Sequence, residues 1–315
     1  MVLLVEKLYN SLKHSSKLEN HHHHHHHHHD GQSEALSASL QAFRYDASNY
    51  LNQLSLSSKP GSQFLSLSWI QQCLDLLSIV NKAFAKLVMD IDYPMSKWDA
   101  NSIEDYLMYS LKLLELLNSI TSSLSHLSQA RLSLSHALSL IESSPQSAIE
   151  RLRAIEFKNL SKDMKVEEKS EERVCSGKEW VVNQALMVMR SNGYWVCGIV
   201  LSGLSGDIKP YLEMKKAASK FLSPSLMALD SGFYEAVAEK KWVLKEVKEV
   251  NDAAACLVAA MAAGERNDDA GKQLERKLEE MEELLDGMGK ETDGMFSEIL
   301  AGRTGLLDSL RNRKP

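Results

Sequence analysis

Apolar residues recur at heptad spacing from Ile103 to Ile141. Ile103, Leu117, Leu124 and Leu138 share one heptad position; Tyr106, Leu113, Ile120, Leu127, Leu134 and Ile141 share another. Steps alternating between three and four residues predict one long helix that packs on partner helices with a left-handed twist. Leu107, Leu111 and Leu114 widen the stripe, as the interior of a bundle requires. Ser110 and Arg131 interrupt it. An arginine on such a stripe snorkels, pairs with a carboxylate or marks a hydrated point.

Before this helix the pattern predicts another, from Leu67 to Met89. Pro94 breaks the chain between them, and Asp99 or Ser102 caps the second helix, so residues 68–143 read as a helical hairpin. A first helix is expected from Glu34 to Leu56, ended by Pro60-Gly61. Downstream, helical spacing covers Gln146 to Phe157, Glu179 to Arg190, Lys209 to Leu222, and Leu226 to Ala263 up to Gly264. Two more segments follow. In Asp269–Gly287 the inner residues are Leu274, Leu278, Met281, Leu284 and Leu285, and in Glu291–Arg311 they are Phe296, Ile299, Leu300, Leu307 and Leu310. Ser191-Asn192-Gly193 reads as a turn. No credible strand appears. The expected architecture is all-α, an elongated antiparallel helical bundle. A disordered, His-rich N-terminal tail spans residues 1–33, a single helical domain spans 34–311, and a mobile charged linker lies at about 159–178.

The run from Tyr194 to Leu204 is the most hydrophobic in the chain. A membrane-spanning helix needs roughly 20 apolar residues, and Arg190 and Asp207 bound this one too closely. A buried core helix is the favoured reading. Membrane contact through Tyr194, Trp195, Val196, Ile199, Val200 and Leu201, with Lys209, Lys215, Lys216 and Lys220 nearby, is the alternative.

Composition narrows the function. The 315 residues carry 36 basic and 42 acidic side chains, a net charge of -6, which does not fit nucleic acid as the main partner. Cys73, Cys175, Cys197 and Cys256 are scattered, and the first ten residues show no secretory signal; both fit reduced thiols in the cytoplasm. The tract His21–His29 offers imidazoles for loose metal binding, but a defined site needs ligands fixed by a fold, so neither a metal nor a cofactor is expected. No phosphate-binding glycine loop, dinucleotide fingerprint, His-Glu-x-x-His or nucleophile elbow is present. No catalytic residue is assigned, and the chain is read as a non-enzyme.

Ser68-Trp69, Asp92-Tyr93-Pro94, Trp98-Asp99 and Asp105-Tyr106-Leu107 with Ser110 and Leu113-Leu114-Glu115-Leu116 form one ordered set of signatures. Phe296-Ser297-Glu298-Ile299-Leu300-Ala301-Gly302-Arg303-Thr304-Gly305-Leu306-Leu307 forms a second, near the C-terminus. Together they resemble the plant BYPASS family of developmental proteins. The resemblance implies a non-catalytic protein that works through protein partners to restrain a root-derived mobile signal in shoot and root development. For some relatives it implies membrane association and a link to exocytosis and auxin transport. Arg303 lies on a mostly inward stripe of the last helix. It is either a solvated residue or a structural clamp to the hairpin through Asp92, Asp99 or Asp105.

Overall fold

A computed structural model describes residues 28–57, 65–157, 175–218, 222–238, 244–264 and 268–311. Its helices are α1 (His28–Ser57), α2 (Leu67–Asp90), α3 (Ala100–Ser139), α4 (Pro145–Arg151), α5 (Gly177–Ser205), α6 (Lys209–Ala218), α7 (Pro224–Ala238), α8 (Lys245–Ala263) and α9 (Asp268–Arg311). A 3₁₀ turn at Met95–Lys97 lies in the hairpin loop, and no strand occurs among the described residues. The fold is all-α. The expected disorder of the tail and the linker falls mainly on residues 1–27 and 158–174, outside the described residues; α1 itself starts inside the histidine tract.

The α2–α3 hairpin forms where the sequence places it. Ser66 caps α2, its hydroxyl accepting from the Trp69 N–H at 3.1 Å. Asp99 caps α3 by accepting from the Ser102 N–H. A column of edge-to-face rings, Phe43, Phe84, Trp98 and Tyr106, with centroids 6.0–6.4 Å apart, ties α1 to the hairpin and its loop. The α3 stripe is buried from Ile103 to Leu134, including Leu117 and Leu124. Leu124→Ala should therefore destabilise the protein by about 2–4 kcal/mol, read as a lower urea midpoint. An unchanged midpoint would mean that the stripe faces water.

α5 packs against α1, α2, α3 and α6. Every residue from 191 to 205 is buried, so Tyr194, Trp195, Val196, Ile199, Val200 and Leu201 lie in the protein interior. The expected turn at Ser191–Gly193 is absent. Ser191 Oγ and Asn192 Nδ2 both donate back to the Val188 carbonyl, which pairs these two donors within a continuous helix, while the buried Asn192 Oδ1 has no hydrogen-bond partner among the described residues. Gly193 serves a close approach instead. A Cβ there would stand 2.4 Å from the Tyr109 hydroxyl, which donates to the Met189 carbonyl across the α3–α5 contact.

Three other boundaries differ from expectation. α4 stops at Arg151, where Leu152 leaves helical geometry. The single helix expected over Leu226–Ala263 is two, α7 and α8. Leu244 is extended and fully buried; the next N–H, that of Lys245, donates to the Leu65 carbonyl, and the Glu246 carboxylate accepts from the Leu67 N–H. The chain is thus redirected to cover the start of α2. Conversely, Asp269–Gly287 and Glu291–Arg311 are one helix, α9. Its buried line, Leu274, Leu278, Met281, Leu285, Met288, Thr292, Met295, Ile299, Gly302 and Leu306, alternates steps of four and three without a break. Helical glycines cost about 1 kcal/mol each, and burial of this seam offsets that. The continuous register also turns Leu300 outward, where an inward position was expected, and puts Leu306 inside.

Candidate functional site

The two longest helices, α3 and α9, run antiparallel along this seam. The two polar interruptions of the α3 stripe are the points where α9 reaches across. Arg131 Nη2 lies 2.7 Å from Glu282 Oε1, an ion pair whose arginine is nearly buried. Near the other end, Arg303 Nη1 donates to the Leu107 carbonyl and, at 3.1 Å, to Ser110 Oγ. Ser110 itself donates to the Leu107 carbonyl, so the three groups form a closed set.

Arg303 therefore joins the C-terminal helix to the hairpin through two neutral acceptors. Neither is one of the carboxylates considered from the sequence. Asp99 is engaged with the N-terminus of α3 and with Glu179 of α5, and the Asp92 backbone carbonyl accepts from Lys178. The guanidinium is close enough to Tyr106 to favour its anion, yet burial outweighs this and pushes the phenol up to about 12. Tyr106 is thus a neutral core ring beside a fixed cation.

Around Arg303 the seam opens onto an apolar surface. Met108 is 58 %, Leu111 41 % and Leu300 45 % exposed. Leu111 follows Leu107 by one turn, Leu300 precedes Arg303 by one turn, and in antiparallel helices these positions fall on the same side of the seam. Leu107, Phe296 and Leu307, at neighbouring positions of the same two helices, are half-buried. Isolated exposed apolar residues are ordinary, but a contiguous group marks an interaction surface. The face is built from the two segments that carry the BYPASS signatures. The sequence reading does not show it, because Leu111 and Leu300 are both expected on inner faces, and both are exposed; carrying the heptad through Gly287 and Gly289 places Leu300 outside.

No group of three or more metal-ligating side chains occurs among the described residues. The six residues considered for membrane contact are brought together as core, at 0–3 % exposure, and no described helix is long and apolar enough to cross a membrane.

A family model described as Protein ROH1-like matches residues 10–210. "Protein BPS1, chloroplastic" of Arabidopsis thaliana, a BYPASS protein, is 25% identical over 280 residues, covering 81% of this chain and 79% of its own length. "UPF0496 protein 4" of Oryza sativa subsp. japonica is 30% identical over 198 residues, covering 54% of this chain and 42% of its own length. The indica form of that protein is 30% identical over 191 residues, with the same shares. No solved structure matches.

Proposed function

Since the chain belongs to the ROH1-like family, and is a BYPASS-like plant developmental protein, we propose that it is a non-catalytic adaptor. It acts through protein partners to restrain a root-derived mobile signal in shoot and root development. The observation that carries this reading is the apolar face of Met108, Leu111 and Leu300, held together by Arg303 across α3 and α9. The three side chains are about half exposed, so covering them supplies about half of the roughly 1.5–3 kcal/mol that full burial of each would give. The Arg303 hydrogen bonds fix the two helices in register, so the face is preformed and little is lost in ordering it.

The test is the triple variant Met108→Glu, Leu111→Glu, Leu300→Glu in plants lacking the endogenous protein. It should fold, because all three side chains already meet water, and it should fail to restore normal shoot and root growth. Proximity labelling with the same variant should lose a subset of the proteins labelled by the parent. Full complementation by a correctly folded triple variant would remove this face from the function. A fluorescent fusion that complements also reports the compartment. The cytoplasm is proposed here; the plastid is named for the Arabidopsis relative.

A further inference from the structure

A cleft of about 440 Å³ opens where α1, α5 and the start of α7 meet. Arg44 and Ser48 of α1, Gln184 of α5, and Ser223 with Pro224 at the entry to α7 all line it. Among the described residues of the lining, Arg44 is the one charged side chain, and no carboxylate faces it. Arg44 Nη2 donates to Gln184 Oε1 at 2.8 Å. That acceptor is a neutral amide and takes one of five guanidinium N–H groups. A planar guanidinium keeps such a bond and still presents a pair of N–H groups to a phosphate.

Ser223 caps α7. Its carbonyl accepts from the Met227 N–H at 2.9 Å, and its hydroxyl accepts from the Leu226 N–H at 3.2 Å. Ser223 is partly accessible to water and Pro224 is exposed. Ser223-Pro224 is one of two Ser-Pro dipeptides in the chain; Ser144-Pro145 is the other. Proline has no N–H. An enzyme site that offers no acceptor just after the serine therefore favours Ser-Pro, because any other residue would leave a donor unpaired there.

We propose that Ser223 is a phosphorylation site for a proline-directed serine/threonine kinase, and that Arg44 holds the phosphoryl group and ties the start of α7 to α1. The kinase transfers the γ-phosphoryl group of ATP. A bond forms between Ser223 Oγ and phosphorus, the bond from phosphorus to the bridging oxygen of ADP breaks, and the hydroxyl proton passes to the kinase's base. Phosphoserine carries about -1.5 to -2 charges at pH 7 and three strong acceptor oxygens. One oxygen can serve the Leu226 N–H in place of the hydroxyl, while others meet Arg44 across the cleft. The first turn of α7 also favours negative charge, but Arg44 belongs to a different helix and makes the group a cross-link. The helix so fixed is the one whose Phe233 stacks on Trp69 of α2.

The full-length, folded protein is treated with a mitogen-activated or cyclin-dependent kinase and Mg-ATP, in a Ser144→Ala background that removes the other Ser-Pro site. A Ser-Pro peptide reports that the kinase is active. Peptide mass spectrometry should place the phosphate on Ser223. Phosphorylation should raise the melting temperature by on the order of 2 °C. In Arg44→Met the phosphate should still be added, but the rise should vanish. Arg44 is exposed, so this variant should fold. Arg44→Lys, which keeps the charge without the planar fork, should retain part of the rise and serves alone if Arg44→Met does not fold. No phosphate on Ser223 while the peptide is phosphorylated would overturn the site. An equal shift in the parent and in whichever Arg44 variant folds would overturn the role of Arg44. The site lies on α1, α5 and α7, so either outcome is independent of partner binding at Met108, Leu111 and Leu300 on α3 and α9.

Discussion

Asp230→Ala should destabilise the protein by about 3–5 kcal/mol, the usual cost of leaving partners of a buried charge stranded. Asp230 lies on α7 and is almost fully buried. Its Oδ1 accepts from Trp195 Nε1 of α5 at 2.9 Å and from the Tyr211 hydroxyl of α6 at 2.6 Å, and its Oδ2 lies 2.6 Å from Lys215 Nζ. Lys215 also donates to the Tyr211 hydroxyl and stands over the Tyr211 and Tyr234 rings, 5.4 and 5.2 Å from their centroids. A single carboxylate therefore satisfies donors from two helices and neutralises a lysine. Lys215 is one-third exposed, so water screens much of the ion pair, and the larger part of the loss comes from Trp195 and Tyr211, whose side chains have no access to water. Asp230→Asn keeps an acceptor at Oδ1 and should lose markedly less. Urea denaturation of the two variants separates the contributions. Equal midpoints for Asp230→Ala and the parent would show that α7 is not held by this residue.

Trp69→Ala should cost a similar ~3–5 kcal/mol, the range for deleting a buried tryptophan and leaving a cavity. Trp69 sits near the start of α2 and is 1 % exposed. Its ring is stacked on Phe233 of α7, with centroids 5.8 Å apart and planes 9° from parallel. Phe233 in turn meets Trp195 and Tyr211 edge to face. The cluster joins α2 to α5, α6 and α7, so truncation of Trp69 leaves several partners without contact. Trp69→Phe retains an aromatic face for Phe233 and should lose less. Calorimetric melts that place Trp69→Ala level with Trp69→Phe would remove the stacking from the account.

The α3 stripe was readable because heptad spacing is a local property, and burial follows once any helix covers it. Even its defects were informative, since Ser110 and Arg131 proved to be the landing points of Arg303 and Glu282. Asp230 gave no comparable signal. It stands in an ordinary helical run, Leu226-Met227-Ala228-Leu229-Asp230, and its partners lie 15 to 35 residues away on other helices.

By itself, then, the sequence determined the all-α class, the α2–α3 hairpin with its caps, the buried character of residues 194–204, and the BYPASS resemblance. These rest on spacing, capping chemistry and hydrophobicity, which act between neighbours in the chain. Tertiary structure decided the continuity of α5 through Asn192-Gly193, the break at Leu244, and the unbroken register of α9 through its glycines. At each of these places local preference amounts to about a kilocalorie per residue. The outcome went to what the segment packs against: Tyr109 for Gly193, Leu65 and Leu67 for the start of α8, and the α3 seam for α9. The same register of α9 put Leu300 on the surface beside Met108 and Leu111, so the proposed docking face exists only once two helices nearly 200 residues apart are brought together.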